Sequence, residues 1–259
     1  MGTSIHPTAV VDSKAQIADG VEIGPYSVIG PDVRIGEGSV LLNHVTVIGH
    51  THLGRECQIF PGAVVGGPPQ DLKYKGGKTT LEIGDYNIIR ECCTLNPGTE
   101  LGGGRTVVGD HNLIMAYVHI AHDCQVGNQT IFANNASLAG HVTVGDYVIL
   151  GGFTLVYQFC SLGPHSLTAY GSGISLDVPP YVTVGGSPAR PHGLNMEGLR
   201  RRGFPEAVRK VLKQAYKTLY RENRSLQDAI AELKGRVDEC AELEVLVSFL
   251  ETRSRGIVR

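Results

Sequence analysis

Aliphatic side chains recur at every sixth position along most of this chain. From Ile5 the series runs Val11, Ile17, Ile23, Ile29, Ile35, Leu41, Val47, Leu53, Ile59 and Val65, without exception. It resumes in phase at Ile83, Ile89 and Leu95 and then slips by one residue. From Val108 it passes through Ile114, Ile120, Val126, Phe132, Leu138, Val144, Leu150, Val156 and Leu162, closing at Thr168 and Ile174. A helix has no use for this period, because 3.6 residues per turn would scatter the apolar positions around its surface. A short strand followed by a turn fits it. Three hexads make one triangular coil of 18 residues, with the aliphatic side chain of each face pointing to the axis. Successive coils then stack at the interstrand spacing of about 4.8 Å. Glycine often follows the aliphatic residue, as at Gly24, Gly30, Gly54, Gly84 and Gly127. This reads as the place where the chain turns, with glycine free to adopt φ > 0.

Two segments break the hexads, Gly66–Thr80 (GGPPQDLKYKGGKTT) and Pro97–Thr106 (PGTELGGGRT). Both are rich in Gly, Pro and charge, so both read as loops leaving the prism, and loops on a rigid scaffold often carry function. Past residue 190 the pattern changes. The stretch DVPPYVTVGGSPARPHG is a Pro/Gly-rich exit, and from Asn195 the apolar positions take three-four spacing (Val208, Leu212, Ala215, Leu219). Pro205 suits a first helical turn, Ser225 an N-cap before a helix over Leu226–Arg236, and a last helix is expected over Ala241–Arg253. The expected organisation is thus a β-helix over 1–190 and a helical domain over 191–259.

Composition narrows the class. With 23 basic and 25 acidic residues, nothing global points to nucleic acid. There are 34 glycines and no tryptophan, so the core must rest on Ile, Val and Leu. Six cysteines, at 57, 92, 93, 124, 160 and 240, form no CxxC pair and no disulfide-like spacing; adjacent Cys92 and Cys93 suit alternating strand faces. A reduced, cytoplasmic protein is the expectation. The start MGTSIHPTAV lacks a signal-peptide pattern, and no apolar run is long enough to span a membrane. Between Leu199 and Arg224 nine Lys or Arg stand against two Glu. That run fits either a solvated helix face or a dock for an acidic partner.

Chemistry concentrates at His119-Ile-Ala-His122-Asp123-Cys124 and, one coil on, Leu138-Ala-Gly140-His141. Ile120 faces inward, which puts His122 near a corner, and Gly140 follows His122 by 18 residues and so stacks on it. Two imidazoles, a carboxylate and a glycine N–H come together there: a general base, its orienting partner and an oxyanion donor. Two other readings of the histidines stand beside this one. They fit plain surface positions on a non-catalytic scaffold, and His119, His122 and His141 fit a zinc site of the trimeric carbonic-anhydrase kind.

The motifs GxxPQDLKYKG (66–76), HIAHDC (119–124), NNASLAGHVTV (134–144), VPPY (178–181) and LNMEGLRRRGF (194–204) together resemble the UDP-N-acetylglucosamine acyltransferase family of lipid A biosynthesis, along essentially the whole chain. The resemblance implies left-handed coiling, a homotrimer, and transfer of an (R)-3-hydroxyacyl chain from acyl carrier protein to the sugar 3-hydroxyl, with no metal or cofactor. It implies His122 as general base, Asp123 as its partner and Gly140 as oxyanion donor. It also implies Gln70, Asp71, Lys73, His119, His141 and Gln158 as substrate contacts, and Asn195, Glu197, Arg201 and Arg202 as the nucleotide clamp. The acidic carrier protein would dock on the basic helices. The chain departs from the family at Asn96 and Tyr157, where histidine is frequent; both positions are expected at the sugar end of the cleft, which leaves a 3-amino acceptor open. Tyr170 falls at the family's acyl-length position, and a bulky residue there implies a shorter chain.

Overall fold

The computed structural model describes residues 2–252 and 255–259. The chain winds as a left-handed parallel β-helix of three faces, most of whose strands are two residues long. Face I is an 11-stranded sheet starting at Ser4–Ile5, face II a nine-stranded sheet starting at Val10–Val11, and face III an eight-stranded sheet starting at Gln16–Ile17. The hexad series forms the register itself: Ile5 pairs with Ile23, Val11 with Ile29, and Ile17 with Ile35. Strands this short carry little twist, which weakens the usual preference for right-handed crossovers.

The sixth-position residues are buried from Ile23 upward, while Ile5 at the open lower end stays 45% exposed. Four residues after each aliphatic position lies a second buried row, which the hexad reading overlooked. It holds small or hydroxylated residues such as Val21, Ser27, Val33, Ser39 and Val45. Four of the six cysteines (57, 93, 124 and 160) stand in this row, and all six are free. Cys92 and Cys93 lie in a turn, one exposed and one buried, and not on alternating faces of a strand.

The role expected of the glycines also needs correction. Positive φ belongs to a residue two places further on: Tyr26, His44, Tyr86, His111, Asp123, His141, Tyr147, Phe159 and His165 all adopt φ of 56–65°. This is the third position of a turn that requires the left-handed region, taken here mostly by aromatic, His or Asp side chains. Gly24, Gly36 and Gly54 serve a different need. A Cβ at Gly24 would meet the Leu42 carbonyl carbon of the next coil at 2.8 Å, and one at Gly36 would meet Gly54 at 2.5 Å.

The excursions leave without disturbing register, since Leu53 pairs with Ile83 and Ile83 with Val108. Strands resume at Thr80 and Arg105. Both excursions depart from the edge between faces II and III, on consecutive coils. At the top, Arg190–Leu194 folds back antiparallel on Val182–Gly185. Among the described residues four α-helices follow, α1 (Met196–Arg201), α2 (Glu206–Tyr220), α3 (Leu226–Lys234) and α4 (Ala241–Glu251), with a 3-10 turn at Val237–Glu239 before the last. Pro205 is the N-cap of α2, and the Ser225 hydroxyl caps α3 by accepting from the Asp228 N–H. Helix α3 ends at Lys234, two residues before the expected Arg236, and Arg253, the expected end of α4, lies outside the described residues. Leu212, Leu219, Leu233, Leu243 and Leu246 form a second core against Tyr181. No helix among the described residues is long and apolar enough to cross a membrane.

Candidate active site

One edge of the prism gathers most of the reactive side chains. Along the II–III edge, reading upward, lie the two excursions, then His122-Asp123, then Gly140-His141, then Gln158-Phe159. Each coil places its turn above the last, so residues far apart in sequence form a column.

Asp123 is the centre of this column. Its side chain is 1% exposed. One carboxylate oxygen accepts from the Thr99 N–H at 2.9 Å; the other accepts from the Thr99 hydroxyl at 2.7 Å and from His122 Nδ1 at 2.8 Å. The Asp123 N–H donates to the Thr106 hydroxyl at 2.8 Å. Thr99 lies on the second excursion, so that loop is a clamp on the carboxylate, and Gly102 packs so closely that a Cβ there would overlap the Asp123 oxygens. A carboxylate held this way keeps the proton of a neutral His122 on Nδ1, leaving Nε2 to accept one from a substrate.

Gly140 sits against the His122 ring, where a Cβ would come within 2.5 Å of Cε1. Its N–H has no hydrogen-bond partner among the described residues. His141 meets His122 edge-on at 5.2 Å, stacks on Phe159 at 4.5 Å, and holds Nε2 3.8 Å from Asp123. Burial pushes His141 below the usual histidine range, while Asp123 opposes that shift. His119 is turned to Thr94, with Nδ1 2.7 Å from the hydroxyl, and burial lowers its pKa too.

A cleft of about 660 Å³ opens in front of this column. The first excursion brings Gln70, Asp71 and Lys73 into it, opposite His119, His122, Gly140, His141 and Gln158. Asn96 does not line it. Its Nδ2 donates to the Gly67 and Pro68 carbonyls at 2.9 and 3.3 Å, pinning the base of that excursion. Tyr157 lies to one side, on a more apolar pocket of about 450 Å³ with Leu155, Val156, Ile174 and Pro188. The two cavities share Ala139, Leu155 and Val156 in their linings and so are neighbours.

The remaining predicted positions stand on other edges. Asn195 caps α1 by accepting from the Gly198 N–H at 3.0 Å, and its Nδ2 donates to the His165 carbonyl at 3.0 Å. Glu197 is exposed and paired with Arg200 and Arg201, which hold it at about 2. Arg202 lies 4.0 Å over the Tyr147 ring on the III–I edge, beside a cavity lined by His111, Gln129 and Ile131. Tyr170 is 86% exposed on the I–II edge. Within one chain, these residues do not reach the His122 cleft.

Donor atoms of His122, Asp123 and His141 lie within 4.8 Å of one another, near enough to hold a metal ion. This differs from the three-histidine set considered above, because His119 is engaged with Thr94 and a carboxylate takes its place. Thr94, Thr99, Thr106 and Phe159 were not picked out from the sequence. A threonine two residues into a Gly-rich excursion gives no sign of its target 24 residues away.

Comparison with known proteins adds family to geometry. A profile described as UDP-N-acetylglucosamine O-acyltransferase, domain 2, matches residues 177–258, and one for bacterial transferase hexapeptide repeats matches 14–49 and 105–140. The acyl-[acyl-carrier-protein]–UDP-N-acetylglucosamine O-acyltransferase of Thiobacillus denitrificans is 55% identical, with 99% of each chain covered. Its counterpart from Herminiimonas arsenicoxydans is 51% identical over 98% of this chain and 99% of its own. The solved UDP-N-acetylglucosamine acyltransferase of Francisella novicida superposes with a TM-score of 0.96 at 43% identity, covering 98% of this chain and 94% of that one. The Moraxella catarrhalis enzyme does so with a TM-score of 0.96 at 43% identity, covering 98% and 99%.

Proposed function

Because this chain belongs to the UDP-N-acetylglucosamine O-acyltransferase family, we infer that it moves an (R)-3-hydroxyacyl chain from acyl carrier protein to the 3-hydroxyl of UDP-N-acetylglucosamine, the first step of lipid A biosynthesis. The relatives' common name, an O-acyltransferase, favours the hydroxyl over a 3-amino acceptor. The single observation carrying the mechanism is the Thr99–Asp123–His122 relay facing the free Gly140 N–H.

In this mechanism His122 Nε2 takes the proton of the sugar hydroxyl as its oxygen attacks the thioester carbonyl. Asp123 stabilises the imidazolium that forms. The Gly140 N–H donates to the tetrahedral oxyanion. Collapse expels the carrier thiolate, which takes a proton from His122. Lys73, Asp71 and Gln70 hold the acceptor sugar, and the apolar pocket beyond Leu155 receives the acyl tail. Its walls of Val156, Ile174 and Pro188 suit a hydrocarbon, and Ala139, Leu155 and Val156 line both it and the catalytic cleft.

The active unit is a ring of three chains. The outward row of face I is aliphatic from Ile88 to Leu167 (Leu113, Ile131 and Ile149 between), and the outward row of face II holds no Lys, Arg, Asp or Glu from Val10 to Gly173. Face III, by contrast, presents Arg34, His52, Glu82 and Gln125. A head-to-tail contact of face I on face II buries the aliphatic row of one against the uncharged row of the other and closes as a ring. It also brings the Arg202 cavity of one chain toward the His122 cleft of the next, which completes the nucleotide clamp with Asn195, Glu197 and Arg201. The acidic carrier protein docks on the basic surface of α2, where Lys213, Lys217 and Arg221 edge an apolar groove. The cytoplasm, where such carriers work and thiols stay reduced, is the compartment this reading calls for.

Mass spectrometry of the product formed from UDP-N-acetylglucosamine and a mixed pool of 3-hydroxyacyl carriers tests the whole reading. One ester-linked product of defined chain length is expected. An amide product, or no product with active carrier, rules it out.

A further inference from the structure

We propose that Arg255 is a positioning residue for acyl-chain selection, acting through the ring of Tyr157. The proposal rests on the reading of the apolar pocket as the acyl site.

Tyr157 forms one wall of that pocket, and the residue is 54% exposed. A side chain that free has several rotamers available, and each gives the pocket a different width. The Arg255 guanidinium lies over the ring, with Cζ 5.5 Å from the centroid. Arg255 makes no ion pair with any carboxylate among the described residues, and its Nε is buried without a hydrogen-bond partner. An arginine that served only to cover apolar surface would gain from a carboxylate nearby. Here its cation is instead offered to a π-face, an attraction that strengthens as water is excluded.

The backbone that delivers Arg255 is fixed just beyond it. Gly256 accepts from the Asp177 N–H at 3.1 Å, and the Val258 N–H donates to the Asp177 carbonyl at 2.9 Å. Val258 is 2% exposed in the core of the prism. The Arg259 guanidinium donates to the Leu219 and Arg224 carbonyls at 2.8 and 2.9 Å. The chain end is thus tied both to the β-helix and to the loop after α2, and it carries one cation to the wall of the pocket. Arg255 sets the rotamer of Tyr157, and Tyr157 sets how the hydrocarbon lies beyond the reacting carbonyl.

The test compares kcat and KM across a series of 3-hydroxyacyl carriers for Arg255→Met, Arg255→Lys, Tyr157→Phe and Leu155→Trp. Arg255→Met should lose about three- to tenfold of the discrimination between adjacent chain lengths, through KM for the acyl donor. Its kcat with the preferred donor and its KM for UDP-N-acetylglucosamine should hold. Arg255→Lys should restore part of the profile, and Tyr157→Phe should keep it, because a π-face remains. An unchanged profile in Arg255→Met overturns the proposal, as does an equal fall for every donor accompanied by a lower Tm. Leu155→Trp separates the two readings, because it fills the pocket floor and should reject the longer donors. If it rejects them while Arg255→Met behaves as wild type, only the role of Arg255 fails. If Leu155→Trp leaves the profile untouched, the acyl site lies elsewhere and both readings fall.

Discussion

In their upper coils the II–III and III–I edges are made from the same turn, with positive φ at Asp123, His141 and Phe159 on one and at Gln129, Tyr147 and His165 on the other, yet the first opens as a cleft beside His122 and the second is lined with stacked rings. On the III–I edge the rings of Tyr147, His165 and Tyr181 stack at 4.6 and 5.7 Å. Phe204 meets His165 edge-on at 5.0 Å, and Arg202 covers Tyr147. Burial, reinforced by Arg202, pushes His165 down to about 4. On the II–III edge, His141 stacks on Phe159 in the same way and is also lowered by burial. Below it, however, the positive-φ position holds Asp123, where the same coil has Gln129 on the other edge. That carboxylate is usable because an excursion of the chain brings Thr99 to satisfy it. The repeat supplies equivalent places; departures from the repeat decide which of them carry chemistry.

The comparison breaks most sharply at its two histidines. His122→Ala should lower kcat by roughly 10²–10⁴-fold with secondary structure unchanged. His165→Ala should leave turnover within a few-fold and lower Tm instead. Turnover near wild type in the His122 variant would return that column to an ordinary surface. Gly140→Ala comes next. Its Cβ needs the space of the His122 ring, and a displaced base costs about 10²-fold in kcat, with little change in KM for the sugar. A variant as active as wild type would mean that the ring has room to move.

Thr99→Val removes one hydroxyl bond to Asp123 and should cost about tenfold, the kinetic equivalent of one hydrogen bond to a charged group. The same change at Thr143, whose outward position on face III lies away from the cleft, serves as the control. On the ring-stacked edge the expected effect is on stability against pH. The folded pKa of His165 lies below its unfolded value, so as pH falls from 6.5 toward about 4 the unfolded chain takes up the proton first. Stability should therefore decline through that window. His165→Phe should flatten the decline, as read by Tm against pH; an identical slope would assign the acid sensitivity to other groups. The smallest effect expected is at Tyr170. If a neighbouring chain seats this exposed ring at the end of the acyl pocket, Tyr170→Gly should shift preference toward longer donors.

Much of this was legible in one dimension. The aliphatic hexads specify a three-faced coil because only that geometry returns every sixth side chain to an axis, and Gly140 could be stacked on His122 by counting one coil. The excursions were visible as breaks in the series. What they do was not. The partner of Thr99 is set by the second excursion folding back on the edge, and the task of Asn96, pinning the first excursion, depends on backbone carbonyls nearly 30 residues away in sequence. The glycines misled for a related reason. Periodicity locates a turn, but which residue of the turn adopts positive φ, and which is crowded by the next coil, are facts of three dimensions.

The sequence by itself determined the coil, its register and the family, since these follow from local spacing repeated until chance is excluded. Only the tertiary structure decided that the excursions fold back onto the edge of His122 and His141, while Arg202 and Tyr170 stand on others. The physical reason is that a repeat makes every coil locally alike. Each hexad contributes about the same buried methyl groups and the same turn, so local energetics cannot rank one edge above another. The ranking comes from long-range polar contacts, such as Thr99 to Asp123, whose geometry exists only once the coils have stacked.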